Sequence, residues 1–562
     1  MQLSDIPFEI QLLIFAKLDP FKVFQYRRVS HSFNALLMSA EFTRLIQIHV
    51  GLVHFGILSD IEDPSDSYNM VSIITPSPHE PAFLQQLHGT IDSDFWSSYR
   101  YLHGGPFELL PLAEPVNPVW IPNDACDEDA IFSNFKLKSF SMTGPIPALI
   151  SNLKHLKSFD FAMHMLTGPI PASMGDMTML HTLDLLDNNL TGCIPASLGN
   201  LVNLKVLNLC GNRFTGTVPE TLSKLVALQT LSLSSNHLSG AVPDLFENML
   251  QLESLGLSSN YFTGPIPASI GCCLKLIHME CHSNNFSGSI PESLYFLPLL
   301  RKFDFENNEL TGVLSPLVGG MASLKNLILS DNQLTGIIPA ELGACLNLTE
   351  LNLESNRFHG IIPASLFRLP KLSELVLSSN QLEGRLDHLI TTEQGIFPKL
   401  YALKLSHNLL SGEIPSSITS LSHISSLELN HNNLDGPLPI DLGNLTKLEE
   451  VILGHNEFTG PIPESISNLV RLEVLDLSHN LLEGVIPDVF GAMKSLRELR
   501  LGSNNLLSGW VPHSLAHLEL LEHIDMRETQ IEGDLPQGFQ ALVGRENVRL
   551  LGRRVEDEDA DD

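Results

Sequence analysis

Apolar and polar positions along this chain recur with a fixed spacing. From about residue 131 to 543 it reads Leu-x-Leu-x-x-Asn-x-Leu-x-Gly-x-Ile-Pro again and again, with a period of 24. The Asn stands at Asn188, Asn212, Asn236, Asn260, Asn284, Asn308, Asn332, Asn356 and Asn380, then at Asn408, Asn432, Asn456, Asn480 and Asn504. One interval of 28 separates Asn380 from Asn408, and turns with substituted positions (Phe140, His164, Thr529) flank the run, making 17 turns. The alternating leucines predict a short half-buried strand in each turn. Stacked turns set those strands in parallel register and merge their leucines into one core. Each Asn closes a strand, and its amide can donate to and accept from main-chain groups of the adjoining turn, a structural ladder for otherwise buried polar atoms. The Gly permits a backbone conformation costly for other residues. The following Pro fixes φ and withholds a donor, which suits a turn or a sheet edge. A segment such as Ala196–Leu201 supplies the outer side. The expected architecture is an α/β repeat solenoid, growing along one axis.

This pattern resembles the leucine-rich repeats of plant-type receptors, the 24-residue class with Leu-Thr-Gly-x-Ile-Pro, over about 400 residues. The resemblance implies a right-handed superhelix with a concave parallel β-sheet and a largely non-helical convex side. Two features of those receptors are missing from the sequence, the Cys-flanked N-terminal cap and a transmembrane segment or kinase. An extended concave surface is what such solenoids offer to partners.

Counting back from each Asn picks out side chains pointing away from the core. Four before it stand Glu280, Asp304, Lys404, Glu428, Asp476 and Arg500; six before it Glu350, Glu374, Glu450 and Glu498; two before it Glu306 and Glu354. From Glu280 to Glu450 this face is mainly acidic, so a protein substrate with a basic segment is the natural partner on electrostatic grounds. One column differs. Immediately before the Asn stand His407, His431, His455 and His479, on four consecutive turns at a strand-end position. Such a row can contact a partner or respond to pH, but a line of imidazoles offers no single point on which a metal ligand set converges. No metal or other cofactor is expected. The long turn replaces Gly-x-Ile-Pro by Gly384-Arg385-Leu386-Asp387, and its extra residues between 387 and 397 read as a protruding loop.

The chain before the solenoid has another character. Apolar residues spaced by three and four between positions 4 and 46 predict short amphipathic helices, broken near Asp19-Pro20. Ile6-Pro7-Phe8-Glu9-Ile10, then Ile14-Phe15-Ala16-Lys17-Leu18, then Val29-Ser30-His31-Ser32-Phe33-Asn34-Ala35-Leu36 resemble the F-box, with its spacing kept. Ile replaces the opening Leu, Ser30 and His31 replace Cys-Arg, and Phe33 replaces Trp. Carried over by position, the resemblance implies contact with a Skp-type adaptor through Ile6, Pro7, Glu9, Ile10, Ile14, Phe15, Leu18, Val29, Phe33 and Leu36. The alternative is a helical cap on the first turn, which any solenoid needs. The expected organisation is an F-box-like helical domain over 1–46, an irregular linker or cap over 47–130, the solenoid over 131–543, and a cap end with an acidic, disordered tail over 544–562.

Composition narrows the function. A net charge of −31 argues against nucleic-acid binding, which needs a basic face. No run of about 18 uncharged apolar residues predicts a membrane span. The start lacks a basic segment before its apolar stretch, and the cysteines are odd in number at 7, so a reducing cytoplasmic or nuclear setting is expected. No phosphate loop, nucleophile elbow, His-Glu-x-x-His or kinase motif set is present, and acid pairs on an open sheet have nothing to shift their pKa. The expectation is a non-catalytic, protein-binding substrate adaptor of a cullin-RING ubiquitin ligase of the Skp–cullin–F-box type. The alternatives are an intracellular scaffold or sensor without that role, and a secreted or wall-associated recognition protein.

Overall fold

A computed structural model describes residues 143–146, 148–152, 156–390 and 399–533, with 135–136, 154 and 548–549. The F-box-like segment, the linker, residues 391–398 of the long turn and the acidic tail lie outside them. The chain divides into two compact units, one ending at Leu252 and the other beginning at Glu253.

Both units are built by the same rule. In the first, strands Ser158–Asp160, Thr182–Asp184, Val206–Asn208 and Thr230–Ser232 pair in parallel, each Leu-x-Leu opposite the next. In the second, the same pairing runs from Ser254–Gly256 through Glu350–Asn352 and Glu374–Val376 to Glu498–Arg500 and His523–Asp525. Register is kept across the long turn, where Glu374 stands opposite Ala402. Alternation buries the leucines: Leu327, Leu351, Leu375 and Leu403 are wholly inside. Phe262, Phe286, Phe303 and Phe305 add an aromatic cluster with centroids 5.2–6.0 Å apart.

The Asn column works in both directions at once. Asn332 Nδ2 donates to Phe305 O of the preceding turn at 2.8 Å and to Leu329 O of its own at 3.2 Å, while its Oδ1 accepts from Leu310 N at 2.9 Å. The same set recurs from Asn188 to Asn504. Just before each Asn stands a feature that the consensus hides: a residue at positive φ, Gly211 at 67° and elsewhere a non-glycine residue between 49° and 61°, among them Asp187, Ser283, Asp331 and Ser355. This left-handed residue turns the chain out of the strand so that the Asn can face inward.

Beyond the Asn, a second set of short parallel strands carries the Leu-x-Gly, as in Arg357–Ile361 against Gln381–Arg385. Gly360 and Gly384 stand at φ +76° and +104°, so a side chain there would be strained. The outer side is not extended chain. It carries 3₁₀ helices such as Ala196–Asn200 and Ala364–Arg368, each entered through a Pro whose φ of about −65° is already suitable. Their Leu residues, Leu198 and Leu366, close the core from behind.

Candidate binding face

The residues that alternation turns away from the leucines form one side of the major sheet. In the second unit, parallel register brings equivalent residues of successive turns side by side at about 4.8 Å. Glu280, Asp304, Glu428 and Asp476 are not free carboxylates. Lys302 Nζ lies 2.9 Å from Glu280 and 3.4 Å from Asp304, and Lys404 Nζ lies 2.7 Å from Glu428. Arg500 lies 3.4 Å from Asp476 and 2.5 Å from Glu498. Asp304 and Asp476 are also buried, 4 % and 9 % exposed, which leaves them little surface for a partner. Burial works against the charge of Lys302 and of Lys404, yet the carboxylates beside them outweigh it and hold both pKa values above the ordinary lysine range.

Between the two lysines the balance fails. Glu306, Asp331, Glu350, Glu354 and Glu374 form no ion pair among the described residues. Glu350 accepts from Asn326 Nδ2 at 2.5 Å, Glu374 accepts a short hydrogen bond from the Tyr401 hydroxyl, and Glu450 accepts from Ser426 Oγ at 2.9 Å. Burial raises the pKa of Glu350, and the charges of Glu374 and Asp304 raise it further. Burial also raises that of Glu354, followed by Asp331 and Glu428, with Lys404 opposing. The bond to Glu374 pushes the Tyr401 phenol up to about 12. Between Glu306 and Glu354 in the same column lies Ser330, 1 % exposed, with no hydrogen-bond partner for its hydroxyl.

A raised carboxyl pKa has a sign. The folded state binds the proton of Glu354 more tightly than the unfolded chain, so the stability this carries is present at low pH and is lost as pH rises through the folded pKa. Glu354→Gln keeps the shape without the charge. It is therefore expected to raise the melting temperature slightly at neutral pH, and the gain over the unaltered protein should vanish below about pH 4. Melting curves at both pH values check this, and a gain that persists at low pH would contradict it.

The histidines do not end a strand. His407, His431, His455 and His479 occupy the left-handed turn position, at φ 54°, 53°, 56° and 51°, where the short polar branch of an imidazole is tolerated. Their rings stack, with centroids 4.1, 4.0 and 4.0 Å apart. They lie beyond the acidic group rather than within it. The cysteines play no part here: Cys273 and Cys281 are buried, and burial pushes the Cys273 thiol up to about 12. Sequence reading passed over Asp331, Tyr401, Asn326 and Lys302. Asp331 stands in the same column as the histidines and was findable by applying that count to every turn. The other three matter only through partners 22 to 27 residues away.

Comparison with known proteins follows the same lines. The Leucine-rich repeat region family matches residues 147–413, the Leucine rich repeat family matches 446–506 and 470–531, and the F-box domain matches 3–45. No curated protein sequence matches the chain. Among solved structures, the plant peptide hormone receptor RGFR1 in complex with RGF2 is similar at 27 % identity and a TM-score of 0.65, with 73 % of each chain covered. The LRR ectodomain of the Arabidopsis receptor kinase HAESA, in complex with an N-terminally extended IDA peptide hormone ligand, is similar at 32 % identity and a TM-score of 0.64, over 73 % of this chain and 72 % of that one. An LRR protein of Leptospira interrogans is similar at 28 % identity and a TM-score of 0.52, over 69 % and 93 %. Among the described residues, no helix is long and apolar enough to cross a membrane.

Proposed function

Because the chain belongs to the leucine-rich repeat family and carries an F-box domain, we propose that it is the substrate-recognition subunit of a Skp–cullin–F-box ubiquitin ligase. Both parts are protein-interaction modules, so it is a protein-binding F-box protein. The single observation that carries the finer reading is the pairing of an F-box at 3–45 with a long repeat array in one chain. In this reading Ile6, Pro7, Glu9, Ile10, Ile14, Phe15, Leu18, Val29, Phe33 and Leu36 meet a Skp-type adaptor, which links the chain to the cullin. The array then holds a substrate close to a ubiquitin-loaded enzyme. It contributes proximity rather than chemical groups. Such a complex works in the cytoplasm or nucleus.

The substrate contact we infer is an extended basic segment laid across the second unit. Two similar structures hold peptide ligands, which supports a peptide-like mode. The un-neutralised carboxylates Glu306, Glu350, Glu354 and Glu374 supply acceptors for ammonium and guanidinium groups. Glu450 and the histidine row extend that track.

The test is capture of the full chain by a Skp-type adaptor, beside Ile10→Asp and Ile14→Asp. A charge placed in an apolar anchor is expected to reduce capture by about ten-fold or more, while the array melts as before. Failure of the unaltered chain to bind the adaptor would overturn the ligase reading and leave a binding scaffold whose first helices are a cap.

A further inference from the structure

The four histidines stand at one place on four consecutive turns, and the turns are held in register by parallel pairing of strands Ala402–Lys404, Ser426–Glu428, Glu450–Ile452 and Val474–Asp476. The shared left-handed backbone gives the four side chains one direction. Their planes differ by only 16°, 12° and 13° between neighbours. All four residues are exposed. A face-to-face stack leaves ring edges, and with them the imidazole nitrogens, as the part open to solvent.

Imidazole nitrogen is a good ligand for late first-row divalent metals. Two such nitrogens on one Zn²⁺, with bonds of about 2.1 Å at a tetrahedral angle, lie about 3.4 Å apart. The ring centroids are 4.0–4.1 Å apart, but nearly parallel planes aim the in-plane nitrogen lone pairs the same way, so two exposed neighbouring rings must turn out of the stack, each by about 50°, to converge on one ion. Rings one place further apart, at twice the step, cannot share an ion. The column therefore fails as one four-ligand site but succeeds as a series of adjacent pairs. Among the described residues no group of three or more His, Cys, Asp or Glu is assembled for a metal, so water completes the coordination and the sites are open ones. Burial and the neighbouring imidazoles lower the pKa of His431 and His455, against the pull of Asp476, which favours the neutral form that ligates.

We propose that His407, His431, His455 and His479 form a binding strip for a divalent late transition metal, each ion held by two adjacent imidazoles. A full column accommodates two ions, one on His407 and His431 and one on His455 and His479. This assignment is independent of the ligase reading and concerns a side of the second unit that the reading uses only at its margin.

Pair geometry makes an unusual prediction about double variants. His431→Asn with His455→Asn leaves His407 and His479 three steps apart, unable to share an ion. His407→Asn with His479→Asn removes the same number of imidazoles but leaves His431 beside His455. Asn suits the left-handed backbone, so neither variant is expected to disturb the turn, and melting without metal checks that. The full chain is titrated with Cu²⁺ by calorimetry and by electron paramagnetic resonance, with the fourfold His→Asn variant as background. Above background, two ions are expected on the unaltered chain, one on the outer variant and none on the inner variant, the bound Cu²⁺ showing coupling to two nitrogens. Equal loss in the two double variants, or no difference between the unaltered and fourfold chains, would overturn the proposal.

Discussion

Asn332→Ala is expected to destabilise the second unit by about 3–6 kcal/mol, because it strips partners from four buried main-chain groups at once. Leu310 N loses its acceptor, and Phe305 O, Leu329 O and Ser330 O lose their donor. These atoms lie behind a buried side chain, Asn332 being 8 % exposed, so bulk water does not replace the amide freely. The damage is local first, as each turn touches only its neighbours. Hydrogen exchange should therefore accelerate most at Leu310 and the strands on either side, with a lower urea midpoint for the unit. Asn332→Asp refines the test. At neutral pH a carboxylate faces three carbonyl oxygens and should be as harmful as alanine. Burial raises the pKa of such a group, so protonation on acidification restores a donor and part of the stability. Exchange at Leu310 unchanged in Asn332→Ala would refute the account.

Gly443→Ala should be nearly as costly, at about 3 kcal/mol, for a reason that concerns contact rather than hydrogen bonding. Gly443 lies in the 3₁₀ helix Leu442–Asn444, and a methyl group built on it would stand 1.8 Å from Ser465 O and 2.5 Å from Ser465 C of the next turn. Both are main-chain atoms, so the turns themselves must separate. Gly320→Ala is the matched control, because a methyl there meets nothing within 4 Å. It should be neutral or stabilise by up to about 1 kcal/mol through the unfolded chain. Thermal melting of the two variants side by side decides the matter: equal midpoints would show that the helices are not in the tight contact described.

These two sites show what the sequence made legible. Asn332 and its equivalents carry one residue type at one spacing, because only an amide both donates and accepts there. The leucines, Gly360 and the proline that opens most of the outer helices were readable for the same reason, one physical demand met by one residue type. The F-box residues were readable as an ordered motif, and the family match over 3–45 agrees. The left-handed residue before the Asn was not, since Ser, Asp, Asn, His, Glu and Met all fill it. Nor was the pairing of Lys302 with Glu280 or of Tyr401 with Glu374, which exists only once the strands are side by side. Counting columns showed which residues share a face but not which of them neutralise one another, and so it overstated Asp304 and Asp476 as contact residues.

The left-handed column has a consequence for chemistry. Its backbone excludes Val, Ile and Thr, whose branched side chains cannot tolerate it, and favours Asn, Asp and His. None of the fifteen non-glycine occupants is β-branched. A purely conformational filter thus enriches one exposed line of the surface in side chains that bind protons, metals and polar ligands. New reactivity can arise there by point substitution without disturbing the leucine core beneath, so this column is the line along which the array can change what it recognises while keeping what holds it together.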